Sequence, residues 1–486
     1  MRLTATEKRE EQSLIDQAFS RAAGARRIEG NHVRLLRDAA ENYPAWLGAI
    51  AMAEQYVYFE NYIIRDDASG RQLADALEAK VRDGVQVCLL YDWMGAVGKT
   101  PGRFWASLRQ AGIEVRCFNP FRLSSPLGWV HRNHRKSVVV DGRVGFITGL
   151  CVGDEWIGDP AHGIVPWRDA GIEVRGPAVG EIERAFSRVW ALVGPPIPDA
   201  ASRARDEAPA TGDVAMRVVA SEPNRAEMLL LDQVVAGAAR ETLWLSDAYY
   251  AGVPSHVQAL RAAALDGVDV RVLVPGATDL PIVRLLSRSG YRPLLEAGVR
   301  VFEWNGPMLH SKTAVADGRW ARVGSSNLNL ASWVANYELD AVVEDVGFAE
   351  IMTQQYLDDL TNATEVLLRA DRRFIGRVAP SDSRPGTASR PRPRARRGGS
   401  AGRAAAGAIR LSNTVTAAVT SHGALASQDA GILAVAGIVL IVAAGIALYW
   451  PRLVAIPLAV LIAWIGGALL VRAYRLRRTR GAVREP

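Results

Sequence analysis

Apolar positions along the chain fall into two alternating patterns. Short unbroken runs such as VYFENYII (57–64), VQVCLLYD (85–92) and EVRCFN (114–119) have the length and the β-branched, aromatic character of buried strands. Between the first two, RQLADALEAKVRDG spaces its apolar residues as an amphipathic helix does and stops at Gly84. The order then recurs. TLWLSDAYY predicts a strand, SHVQALRAAALDG a helix, VDVRVLV a strand, 282–297 a helix and VRVFEWN (299–305) a strand. The junctions agree in detail: RDGVQVCLLYD beside LDGVDVRVLVP, and AGIEVRCFN beside AGVRVFEWN. The offset is 186 residues from Ala111 to Ala297 and 176 farther on, because the first copy has a loop between Asn119 and His134 that is ten residues longer. Strands and helices that alternate, twice over, predict an α/β protein built from a duplicated unit.

Composition sets the boundaries. Residues 1–28 are polar and charged, lack the apolar stretch of a secretory signal, and predict a short surface helix. The two copies occupy 29–193 and 214–376, separated by a Pro/Ala/Asp-rich linker at 194–213. From 377 to 429 the chain is rich in Pro, Arg, Gly, Ala and Ser, which predicts disorder. Two uncharged apolar runs follow, GILAVAGIVLIVAAGIALYW (431–450) and LVAIPLAVLIAWIGGALLV (453–471), broken only by Pro451-Arg452. Each would make roughly 30 Å of helix, the thickness of a bilayer core, so 430–471 predicts a transmembrane hairpin. Arginine-rich segments flank its outer ends (390–397 and the 472–486 tail), which predicts an inner-membrane protein with both ends and the globular part in the cytoplasm.

Charge narrows the partners. The net charge is +7, but from Arg377 onward there are 16 Arg, no Lys and three acids. The tail therefore carries +13 and the preceding 376 residues −6. An acidic folded part disfavours nucleic acid as the partner, and arginines beside a hairpin favour an anionic membrane. The three cysteines, Cys88, Cys117 and Cys151, have no C-x-x-C spacing and predict neither a disulfide framework nor a cysteine-based zinc site.

Only seven His and five Lys occur in the chain, and two of each fall into one repeated pattern. His134-Arg135-Lys136 is followed by SVVV and Asp141, and His310-Ser311-Lys312 by TAVA and Asp317. Both runs read as strands ending at an Asp-Gly turn, and alternation puts His and Lys on one face. Folding the copies together would bring two imidazoles and two ammonium groups to one seam. That set suits phosphoryl transfer. One imidazole attacks phosphorus, the other gives a proton to the leaving oxygen, and the lysines stabilise charge on the phosphoryl oxygens. Ser325 and Asn327, in the Gly-Ser turn after Asp317, add hydrogen-bond donors for phosphate. Glu338, and Asp169 on the comparable strand of the first copy, are candidates to orient the imidazoles.

The pattern HxKx4Dx6GSxN, twice in one chain, resembles the phospholipase D superfamily, and more closely bacterial cardiolipin synthases, especially the B type. NHVRLLRDAAENYPAWLGAI (31–50), the strand with Glu60, GDEW (153–156), WRDAGIEVRGPAV (167–179), the run 279–312 and VGSSNLNLASW (323–333) extend the likeness over roughly 30 to 375. The resemblance implies two α-β-α sandwich lobes, catalysis without metal or other cofactor, and a phosphatidyl-histidine intermediate with His134 as nucleophile and His310 as acid. It also implies phospholipid substrates, with phosphatidylglycerol as donor of the phosphatidyl group. The motif by itself leaves open hydrolysis to phosphatidic acid, another phosphodiester as substrate, or a lipid-binding scaffold with a decayed first site.

The sequence departs from the family in three places. Thr148-Gly149-Leu150-Cys151 stands where the second copy has Gly324-Ser325-Ser326-Asn327, Gly171 stands where a His is frequent, and the hairpin is C-terminal. His131 is expected on a solvated loop, and His32, His162, His256 and His422 in structural roles. Tyr249 and Tyr250 are expected in the core, as is Trp129. Asp141 and Asp317 either brace their strands or join the chemistry.

Overall fold

The computed structural model describes residues 15–121, 131–198, 208–368 and 374–378, with isolated positions between 456 and 467. The chain divides into one unit of Met1–Pro120 and His131–Arg384 and a second of Phe121–Val130 and Pro385–Pro486. Nearly every described residue lies in the first.

Seven strands of the first copy are β1 (Ile28–Arg37), β2 (Tyr56–Asn61), β3 (Gln86–Asp92), β4 (Glu114–Phe118), β5 (Ser137–Val140), β6 (Val144–Thr148) and β7 (Ala170–Arg175). The second copy supplies β8 (Val214–Val219), β9 (Thr242–Ser246), β10 (Asp269–Pro275), β11 (Arg300–Trp304), β12 (Thr313–Ala316), β13 (Trp320–Gly324), β14 (Asp340–Val343), β15 (Ala363–Leu368) and β16 (Phe374–Val378). The halves run β4-β3-β2-β5-β6-β7-β1 and β8-β14-β13-β12-β9-β10-β11-β15-β16, equivalent strand for strand apart from the last two. In each, the three strands of alternating β/α sequence are parallel and the His-Lys strand joins them antiparallel. The predicted helices are present as Ala68–Arg82, Pro254–Leu265 and Pro281–Glu296.

The two lobes share one sheet. β1 pairs with β7 over His32–Arg37 and reaches β8 at Ile28–Met216 and Asn31–Val214. Between those two pairs Gly30 has φ +83°, and a Cβ there would stand 2.9 Å from that of Ala210, so the crossing requires glycine. The buried Asn31 side chain pins the junction, donating to Ile28 O and Val214 O and accepting from Ala178 N–H.

Apolar burial forms three layers. Trp46, Phe59 and Phe146 lie in the outer core of the first lobe, and Leu231, Leu260 and Val301 in that of the second. The central layer lies between the half-sheets, where helices Val179–Leu192 and Val346–Thr361 bury Phe186, Trp190, Phe348, Met352 and Tyr356. Phe186 stacks on Tyr58 at 5.0 Å and Tyr356 on Trp244 at 5.3 Å. Each such buried large side chain contributes roughly 1.5–3 kcal/mol, which makes the lobe interface a core in its own right.

The N-terminal helix lies on the surface, as its polarity predicts, but one face of it is buried. Over 15–23 it buries Phe19 and Ala23 in the outer core of the second lobe, and Asp16 accepts from the buried Arg217 at 2.9 Å. Phe19 and Ala23, four residues apart, share one helix face. No helix among the described residues is long and apolar enough to cross a membrane. Arg377 and Val378, the first residues of the segment expected to be disordered, belong to β16 instead; the rest of that segment, the hairpin (isolated positions apart) and the basic tail lie outside the described residues, as do Trp129 and His422.

Candidate active site

The four-residue strands β5 and β12 set the site. Both end at Asp-Gly turns with left-handed φ at both residues: +52° and +63° at Asp141 and Gly142, +49° and +59° at Asp317 and Gly318. The opposite ends carry the histidines. His134, Lys136, His310 and Lys312 are all buried. Lys136 Nζ donates to His134 O at 2.5 Å, and Lys312 Nζ to His310 O, so each ammonium is folded back toward its own histidine.

Strand pairing between the lobes brings the two motifs together. His134 N–H donates to Tyr337 O at 2.9 Å and Tyr337 N–H to Arg132 O at 2.8 Å. His310 N–H donates to Arg168 O at 2.7 Å and Arg168 N–H to Met308 O at 2.9 Å. The segment before each histidine therefore runs beside the segment before the other lobe's carboxylate. As a result the carboxylates cross over. Glu338 of the second lobe meets His134 Nδ1 at 3.0 and 2.9 Å, and Asp169 of the first meets His310 Nδ1 at 2.6 Å.

The two pairs differ in charge. Burial pushes Glu338 up, but the His134 and Lys136 charges and hydrogen bonds from His134 and Ser325 outweigh it and hold the carboxyl below its ordinary value. Glu338 also accepts from Ser325 Oγ at 2.6 Å and Asn336 Nδ2 at 3.2 Å. An ionised Glu338 accepts the hydrogen bond of His134 Nδ1–H, which leaves Nε2 with its lone pair. Burial lowers the His134 pKa, which favours that neutral ring. Burial dominates the other pair, raising Asp169 to about 7 and, with the two lysines, pushing His310 well down. Lys312 Nζ also lies 2.9 Å from His310 Nδ1. That nitrogen either donates to Asp169 or accepts from Lys312, so the His310 tautomer follows the proton on Asp169. Lys312 itself is lowered to about 8 by burial.

The phosphate-binding candidates are also in place. Ser325 braces Glu338, and the buried Asn327 has an unpaired Oδ1 and donates its backbone N–H to Ser332 Oγ at 3.2 Å. In the first lobe Cys151 occupies the position of Asn327, is buried, and lies near enough to Lys136 and Lys312 to interact with their charges.

Asp141 and Asp317 are the exception. Asp141 accepts backbone N–H bonds from Glu54, Gln55 and Tyr56 at 2.7–2.9 Å, and Asp317 from Arg240, Glu241 and Thr242 at 2.8–3.2 Å. They stand at the far ends of β5 and β12 from the histidines and brace the starts of β2 and β9. A strand of four residues, roughly 13 Å at about 3.3 Å per residue, lies between each of them and its histidine.

Several neighbours were not singled out from the sequence. Tyr62 lies edge-on to His134 at 5.0 Å, and Trp156 and Trp167 lie 5.8 and 5.5 Å from His310. Tyr249, expected in the core, lies 5.7 Å from His310 and donates its hydroxyl to Asp279 at 2.9 Å. Trp156 and Trp167 belong to GDEW and WRDAGIEVRGPAV, the segments that carry the family likeness, whereas Tyr62 is marked only by its place after β2. His131, expected in solvent, is half-buried with Nδ1 2.9 Å from Ala335 O. Tyr250 and His256 are core residues, His256 packing on Trp333 at 5.1 Å.

A family model described as "Cardiolipin synthase, PLD-like domain" matches residues 47–153 and 235–360. The chain is 34% identical over 362 residues to a cardiolipin synthase of Alkalihalophilus pseudofirmus, across 73% of this chain and 71% of that one. It is also 34% identical over 346 residues to cardiolipin synthase A of Pseudomonas fluorescens, across 70% of each. The crystal structure of phosphatidylserine synthase from Haemophilus influenzae shares the fold, with a TM-score of 0.57 at 12% identity over 72% of this chain and 91% of that one. Duplicated lobes meeting at a paired His–Lys seam define a phospholipase D-like protein. Within that class, the chain belongs to the cardiolipin synthase family.

Proposed function

We propose that the protein is a phosphatidyltransferase that makes cardiolipin, moving the phosphatidyl group of phosphatidylglycerol to a head-group hydroxyl of a second phospholipid. The observation that carries the assignment of roles is the unequal pair of crossed dyads, His134 with ionised Glu338 and His310 with Asp169 near pKa 7. His134 Nε2 attacks phosphorus, forming an N–P bond as the P–O bond to glycerol breaks. The Asp169–His310 pair gives the departing glycerol its proton. The acceptor hydroxyl then returns a proton to that pair and attacks phosphorus, and the N–P bond breaks. Lys136, Lys312 and Asn327 hold the phosphoryl oxygens as their charge grows, with Ser325 acting through Glu338. Asp141 and Asp317 hold the strands that present these groups.

The transmembrane hairpin at 430–471 anchors this unit on the cytoplasmic side of the inner membrane, supported by the arginines that flank it. The boundaries at 29–193 and 194–213 mark lobe and linker, and the second lobe runs from 214 past the expected 376 to the end of β16 at Val378. The experiment uses the full chain in phosphatidylglycerol vesicles, with lipid products followed by mass spectrometry beside His134→Ala. Cardiolipin with released glycerol, lost in the variant, is the expected result. Phosphatidic acid in its place would make the protein a hydrolase and overturn the transferase reading.

A further inference from the structure

The loops around the two histidines carry exposed aliphatic side chains in both lobes. Val97 and Leu280 stand at the same place, five residues past the end of β3 and of its duplicate β10; Val165 and Leu330 lie on the equivalent loops before β7 and β14, at different places along them. The four are 47% to 60% exposed. Each is one short step from the site. Val165 is two residues from Trp167, which faces His310. Asp279, next to Leu280, accepts from the Tyr249 hydroxyl, and Asn329, next to Leu330, donates to Tyr249 O at 3.0 Å. Val97 ends the turn that starts at Asp92, whose carboxylate accepts from Asn133 N–H, beside His134, at 2.8 Å.

An isolated exposed aliphatic needs no explanation; one on each of four loops that flank the two histidines does. At the opposite ends of the strands the corresponding loops carry an exposed large aliphatic in one lobe only. Leu265 has Arg82 at its counterpart, and Met52 has Ala238. Cations accompany the rim on the Val97 side, where Lys99 and Arg103 are both exposed, while Asp279 adjoins Leu280. Aliphatic side chains with basic neighbours are the composition that partitions into the interface of an anionic bilayer.

We propose that Val97, Val165, Leu280 and Leu330 form an apolar rim that inserts into the head-group region of an anionic bilayer and opens the His134–His310 seam directly to lipid phosphates. The proposal rests on the reading of the substrates as membrane phospholipids. The rim lets both lipids keep their acyl chains in the bilayer while only their head groups enter the seam. The hairpin tethers the chain, whereas the rim sets which face meets the membrane.

The test uses the full chain in phosphatidylglycerol vesicles, with an environment-sensitive fluorophore at Leu330→Cys and, as control, at Leu265→Cys. Spin-labelled lipids are expected to quench the first and leave the second unchanged. Equal quenching, or none, overturns the proposal; an unquenched Leu330 label in a chain that runs as a dimer would assign the rim to contact between copies. A second arm compares Val165→Ser/Leu330→Ser with the parent. Product formation from vesicles is expected to fall about tenfold or more, with turnover of dispersed short-chain phosphatidylglycerol kept. An equal loss on both substrates overturns the rim. If the parent makes no product from either, the enzymatic reading fails while the quenching result still decides the rim.

Discussion

Thr148 and Gly171 face each other across β6 and β7, and the corresponding partners across β13 and β14 are Gly324 and Asp340. Glycine and side chain have exchanged strands between the lobes. In the second lobe a Cβ on Gly324 would lie 2.2 Å from Asp340 Oδ1, so glycine admits the carboxylate, which accepts from Ser326 Oγ. In the first, a Cβ on Gly171 would meet Asn42 Oδ1 at 2.1 Å and Thr148 Oγ1 at 2.9 Å. Two of the family departures, Thr148 and Gly171, are thus one packing change. Thr148 Oγ1 accepts from Leu150 N–H at 3.0 Å and shapes the turn that Gly-Ser shapes in the other copy.

Gly171→Ala is accordingly expected to cost about 1–3 kcal/mol by overpacking. Adding Thr148→Gly should recover only part of that, since Asn42 is the nearer obstacle. Gly48→Ala, with no atom within 4 Å of its Cβ and a helical setting, should stabilise by about 0.5–1 kcal/mol. Denaturant midpoints of the variants give all three values.

The crossed carboxylates should be separable by pH. With Asp169 raised to about 7 by burial, the Asp169–His310 pair keeps its proton below that pH and loses it above. If the pair supplies the leaving group's proton, kcat/KM falls as pH rises through about 7. Asp169→Asn should lower turnover roughly 10–100-fold and abolish that limb; Glu338→Gln should cost a similar factor and leave the limb where it is. The profiles are measured in mixed micelles of phosphatidylglycerol, and an unchanged alkaline limb in Asp169→Asn would refute the assignment.

For Asp141 and Asp317 the expected effect is on stability. Each carboxylate satisfies three backbone N–H groups, so Asp141→Ala or Asp317→Ala should cost about 1–3 kcal/mol in the denaturation midpoint. Turnover per folded molecule should hold within a few-fold, because neither side chain reaches the histidines. A loss comparable to that of His134→Ala would return them to the chemistry.

What could be read from the sequence was local or repeated. SVVV and TAVA are strands over the ranges their apolar runs mark, and the Asp-Gly pairs after them turn as that dipeptide predicts. The duplication placed both His–Lys pairs and both carboxylates on equivalent strands. It could not say that Glu338 serves His134 and Asp169 serves His310, because each contact spans the lobes. Nor could it find β1 as the strand that joins them. IEGNHVRLLR alternates poorly, and its pairing depends on Asn31 and Gly30, whose roles exist only once β7 and β8 are beside them. The docking of the N-terminal surface helix was hidden for a related reason: two apolar residues, Phe19 and Ala23, are enough when an uncovered sheet face awaits them.

Arg135 shows how the lobes and the chemistry are joined, and it gives the last test. Fully buried, it donates Nε to Glu338 O at 3.0 Å, Nη1 to Ala185 O at 2.9 Å and Nη2 to Ser221 O at 3.1 Å. One planar cation thereby spans carbonyls of both lobes, one of them on the residue that orients His134. Arg135→Ala would strand three buried acceptors, at about 1–3 kcal/mol for each that water cannot reach, and should lower turnover as well by freeing Glu338. Arg135→Lys keeps the charge, but its single head group cannot satisfy three diverging carbonyls. The expected order of both denaturation midpoint and turnover is wild type, then lysine, then alanine. A lysine variant equal to wild type would mean that buried charge, rather than the geometry of the guanidinium, holds the lobes in register.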